Sequence, residues 1–79
     1  MENVIFESSF RQGLSVFRGN EWVGYLPRLQ WIDDPRYRAI LEDGNLILQT
    51  FSWSQDDWLD LDHCGPFENL ELVYNDYRL

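Results

Sequence analysis

The chain has 79 residues, 44% hydrophobic and 16% aromatic, with 14 acids against six arginines, no lysine, and a formal net charge of -8. That length supports one domain, residues 1–79, without a large cleft, and the apolar content is enough to offset the entropy of ordering, which excludes disorder. A single cysteine, Cys64, excludes an internal disulfide, and no apolar run approaches the ~18 residues of a membrane span.

The N-terminal Met1–Phe6 has no basic region ahead of an apolar stretch, so the expected compartment is the cytoplasm. Charge is unevenly spread. Five acids and five arginines balance through Leu41, whereas nine acids face Arg78 alone from Glu42 onward. Such a field repels nucleic acid and anionic membrane and attracts basic protein surfaces. It is equally what keeps a small protein soluble.

In chain order, Val4–Ser8 reads as a strand for a sheet edge. Leu14–Arg18 and Glu21–Leu26 flank Gly19 and Asn20, a two-residue turn whose glycine reaches positive φ. Simple pairing across that turn opposes Val16 with Val23, Leu14 with Tyr25, and Phe17 with Trp22. Pro27 and Asp33–Pro35 then mark a loop, in which Trp31 and Ile32 are expected to tuck onto the core, and Trp22 and Trp31 are expected to serve as core fillers. Arg36–Glu42 and Asn45–Phe51 flank Asp43 and Gly44, the strongest hairpin signal in the chain. Tyr37, Ala39, Leu41, Leu46 and Leu48 share one face there and should be core.

Residues 54–64 read two ways. Ser54 followed three residues later by Asp57 resembles a helix cap, with Gly65 and Pro66 as a stop, yet Leu59 to Asp62 alternates like a strand. Asn69–Tyr77 alternates Leu70, Leu72 and Tyr74 and reads as a last strand. The expected fold is therefore mainly β: a single antiparallel sheet or small barrel of five or six strands built from two hairpins, with room for one short helix near residues 55–63.

Chemistry finds little support. The only His and the only Cys are the neighbours His63 and Cys64, which point apart in extended chain and make no nucleophile–base pair. No glycine-rich phosphate loop, basic patch interleaved with aromatics, or zinc-ligand set is present. Asp60–Glu71 resembles the calcium loop of EF-hand proteins, with acids at Asp60, Asp62, Glu68 and Glu71 and glycine at Gly65. It departs from that loop at Cys64, where an oxygen ligand belongs, and at Pro66. Leu41–Gln49 resembles one sugar-binding repeat of the bulb-type mannose lectins at Asp43, Asn45 and Ile47. There, Leu41 and Gln49 replace the family's Gln and Tyr.

What remains is the mixture of acids and large aromatics from Phe51 to Asp62, the composition of a surface that docks on a basic partner. The expected function is non-enzymatic and free of cofactor and metal: a stoichiometric inhibitor that mimics nucleic acid and occupies a basic, nucleic-acid-binding protein surface. Phage-encoded inhibitors of bacterial defence, the anti-CRISPR type among them, and immunity proteins against nuclease toxins are similar in size and charge, without a shared motif. The expected contacts are Trp53 and Trp58 as anchors with Asp56, Asp57, Asp60, Asp62, Glu68 and Glu71. Direct nucleic-acid and membrane contacts are not expected. The alternatives are a module for carbohydrate or calcium, or a structural subunit of a larger assembly.

Overall fold

A computed structural model describes residues 3–32 and 36–76. The expected Asp33–Pro35 loop and the end of the last strand at Tyr77 lie outside those residues. Among the described residues seven strands form: β1 (Asn3–Glu7), β2 (Gln12–Arg18), β3 (Glu21–Leu26), β4 (Tyr37–Glu42), β5 (Asn45–Ser52), β6 (Asp57–Pro66) and β7 (Glu71–Asp76), with a 3-10 turn at Phe67–Asn69. They pair antiparallel as two sheets, sheet A in the order β1-β4-β5-β6 and sheet B in the order β3-β2-β7. The single sheet expected from the sequence is thus two, and neither closes into a barrel. Among the described residues, no helix is long and apolar enough to cross a membrane.

The two sheets share one core. Leu14, Val16 and Leu26 of sheet B meet Phe6, Ala39, Leu46, Leu48 and Cys64 of sheet A, and Tyr37, Leu41, Leu70 and Leu72 pack around them. Burying each such aliphatic side chain contributes roughly 1.5–3 kcal/mol, which makes this cluster the main source of stability. The β4–β5 hairpin carries the expected core face in the expected register, Leu41 opposite Leu46 and Ala39 opposite Leu48. Its turn places Asp43 at φ 51° and Gly44 at φ 80°, both positive, as the type I′ geometry that continues strand twist requires.

The β2–β3 hairpin departs from simple pairing. Phe17 does face Trp22, but the register then slips, so that Val16 faces Gly24 and Leu14 faces Leu26. Val23 is the extra residue of this bulge and packs against the core. The slip moves Tyr25 to the outer face of sheet B, beside Trp22, which faces Phe17 in either register and is 61% exposed instead of filling the core. Gly24 suits the bulge because its missing Cβ leaves room for Leu48 and Cys64 beneath it. Trp31 and Ile32 also stay outside, 68% and 95% exposed. Their segment is held against the 8–12 loop by the Leu29 N–H donating to Ser9 O and the Arg28 guanidinium donating to Phe10 O, so it runs past the core without entering it.

Candidate partner-binding site

The helix read near residues 55–63 does not form. Residues 53–56 are a tight turn and Asp57 opens the ten-residue strand β6. Ser52, not Ser54, organises the turn: its Oγ accepts the Gln55 N–H at 3.3 Å and lies 3.2 Å from Ser54 Oγ. Asp56 closes it at φ 53°, a left-handed conformation that short polar side chains tolerate. Eight residues of β5 need a partner strand, and that demand overrides the cap-like spacing.

This turn sets the aromatics. Phe51 stands between two tryptophans, Trp53 at 4.7 Å and Trp58 at 5.3 Å between ring centroids, both nearly edge-on. Trp58 is covered, since the Arg38 guanidinium stacks over it at 4.2 Å and Arg36 approaches at 5.8 Å. Trp53 is 66% exposed, its position held by Phe51. Only Trp53 of the two expected anchors therefore presents an open ring.

Across the outer face of sheet A runs a hydrogen-bonded chain of side chains. Arg38 Nε donates to Gln49 Oε1 and Gln49 Nε2 donates to Asp60 Oδ1, each at 2.7 Å. His63 Nε2 lies 3.2 Å from Asp60 Oδ2. Gln49 is only 5% exposed, and a buried amide is tolerable because both of its ends are occupied. Asp60 is thus built into the sheet as well as displayed on it.

Two register slips in β6 divide its acids. Leu61 has no partner on β5, so Asp60 pairs with outward Gln49 whereas Asp62 pairs with core-facing Leu48. Asp62 is nonetheless exposed, at the rim of the sandwich. Its charge reaches Cys64, whose thiol is pushed above its ordinary value by burial first and by Asp62 second, against a lowering effect of Arg18. A buried thiol held in its neutral form is a poor nucleophile, and His63 faces away from it on the exposed side.

Asp56, Asp57, Asp60 and Asp62 therefore gather along β6 and its leading turn, beside Trp53. Glu68 and Glu71 do not join them. Glu68, in the 3-10 turn, borders an open hollow with Asp43 and Asn45, and Glu71 begins β7 opposite Phe17 on sheet B. The calcium-loop resemblance has no counterpart in the fold. Its first half is strand, Cys64 is buried, and Asp60 and Asp62 occupy opposite faces. Among the described residues no group of three or more His, Cys, Asp or Glu could hold a metal ion. Nor is the lectin-like set displayed together: Ile47 is buried and Gln49 is locked between Arg38 and Asp60.

Arg36, Arg38 and Gln49 went unassigned in the sequence, although the spacing of Arg36 and Arg38 puts them on one strand face. The β4–β5 register places Gln49 opposite Arg38, so the pair was legible once the turn was read. Comparison of the chain with protein-family models, with curated proteins and with solved structures finds no match.

Proposed function

We propose that the chain is a non-enzymatic binding protein that uses the acidic edge of β6, with Trp53 as its anchor, to occupy a basic, nucleic-acid-binding surface of another protein. The observation that carries this reading is the geometry of that edge. Asp56 in the turn and Asp57, Asp60 and Asp62 in β6 follow one another along the end strand of sheet A, which pairs with β5 on one side and with no described strand on the other, and an open tryptophan stands at its start. Six residue steps of extended chain cover at most about 20 Å, so the four charges are spaced by roughly 7 Å on average. A nucleic-acid strand in a duplex carries one per about 3.4 Å, so the edge reaches about half that charge density. A groove lined with Arg and Lys to receive phosphates would receive this edge too.

Trp53 adds what charge alone lacks. A flat ring at the centre of an interface excludes water and can stack on a partner's guanidinium, as Trp58 already does with Arg38. Trp58 therefore supports the site from beneath, and Glu68 and Glu71 extend the negative field at a distance. In this reading the protein acts in the cytoplasm as a stoichiometric inhibitor.

Immobilised chain, incubated with lysate and eluted in rising salt, tests the proposal. It predicts retention of a nucleic-acid-binding protein that leaves as salt rises and is displaced by DNA or RNA. Retention that neither salt nor nucleic acid disturbs would contradict it.

A further inference from the structure

We infer that the outer edge of β6 receives an extended basic segment of its partner as an added strand, extending sheet A by main-chain hydrogen bonds. This rests on the docking reading above and names the form that the bound segment takes.

The main chain decides which groups the edge offers. Phe51 donates its N–H to Arg36 O at 2.9 Å, towards the start of β4. In an antiparallel ladder a residue that turns its N–H and C=O to one neighbour turns them away from the other. The Phe51–Trp58 pair is therefore a non-hydrogen-bonded pair between β5 and β6, the kind in which side chains come closest. The ring contact at 5.3 Å, and the Gln49–Asp60 hydrogen bond two residues along, agree with this. Trp58 accordingly directs its N–H to the open edge, where Asp57 Oδ1 takes it at 2.8 Å. The register is regular from Asp57 to Asp60 and slips only beyond, so Asp60 shares the outward orientation. Trp58 and Asp60 together offer two N–H and two C=O groups to an arriving strand.

Charge selects the occupant. A strand laid along this edge meets Asp60 on one face of the sheet and Asp62 on the other, with Asp56 and Asp57 at its end. A second copy of this chain brings the same acids, and like charges across a strand pair repel. Acids on an edge keep indiscriminate strands away, and a segment with Arg or Lys on both faces is the exception they admit. When such a segment binds, its carbonyl replaces Asp57 on the Trp58 N–H, and the released carboxylate is free to pair with a basic side chain.

The test uses the full chain and two short synthetic peptides of alternating arginine and threonine, one of them N-methylated at every residue so that its charge stays while the donors of both its edges are lost. Amide exchange of the chain is followed by NMR at low salt. The plain peptide should slow exchange at Trp58 and Asp60 by about tenfold or more, since the Asp60 amide gains a main-chain partner and the Trp58 amide replaces the exposed Asp57 carboxylate with a carbonyl of the added strand. The N-methylated peptide should bind at least about tenfold more weakly. Equal binding of both peptides without protection at Trp58 and Asp60 would overturn strand addition and leave charge-driven docking standing. Absence of peptide binding, while a basic partner protein still binds, would also overturn it. Absence of binding by either would sink the docking reading itself. Protection that appears in the chain alone and grows with its concentration would make a second copy the occupant, and would overturn the inference as well.

Discussion

Gln49 joins three strands through one side chain, taking a hydrogen bond from Arg38 and giving one to Asp60. Truncating it leaves a cationic donor and a carboxylate without their bridge, so Gln49→Ala should cost about 1–3 kcal/mol in denaturant unfolding. Cys64 makes a pH-dependent contribution. Because burial and Asp62 raise its thiol above the ordinary 9.0, the folded chain holds that proton more tightly than the unfolded chain does. The associated stability is complete below 9.0 and is lost as pH climbs through the raised value. Cys64→Ala should be less stable at neutral pH, and melting curves should show the gap to the unaltered chain narrowing above pH 9. Gly24 is constrained by contact instead of by φ: a Cβ there would sit 2.7 Å from Leu48 Cδ1 and 3.0 Å from Cys64 Sγ. Gly24→Ala should cost about 1–3 kcal/mol by overpacking.

Among the elements, the β4–β5 hairpin was the most legible because its turn chemistry and its alternation agree. Asp43 and Gly44 supply the two positive φ values, and the apolar residues fall on the face that the pairing demands. Gly44→Ala should cost about 1–2 kcal/mol, measured as a fall in melting temperature, since alanine disfavours that left-handed conformation. The β2–β3 hairpin was legible only as far as its turn. A bulge follows no residue pattern that alternation alone reveals, so period alone assigns Val23 and Tyr25 to the positions opposite Val16 and Leu14 that Gly24 and Leu26 actually hold. Residues 54–64 were ambiguous because aspartates are poor strand formers and good caps, and only the length of β5 resolves them. The acids of the site were readable as composition. Their division by the Leu61 bulge, and the cover that Arg38 gives Trp58, were not, because both depend on how strands from distant parts of the chain align.

At the scale of the whole molecule, the -8 charge is concentrated in the C-terminal half, and the fold brings four of those acids to one strand edge while sending Glu68 and Glu71 elsewhere. Arg36 and Arg38 lie beside that edge, Arg36 paired with Glu7 and Arg38 held by Gln49 and Trp58, and these two cations leave the four acids of the edge in excess. Asp60 is unsuitable for a charge test because the sheet depends on it, whereas Asp56, Asp57 and Asp62 are exposed and not tied to distant side chains by hydrogen bonds. Their replacement by asparagine should leave folding intact.

The most direct measurement is therefore the affinity of the Asp56→Asn, Asp57→Asn, Asp62→Asn chain for a captured basic partner, compared with that of the unaltered chain across a salt series. If docking runs through the β6 edge, the variant binds about tenfold or more weakly at low salt, its salt dependence is shallower, and the two chains converge at high salt. Equal affinity and equal salt dependence would contradict the acidic edge as the docking surface.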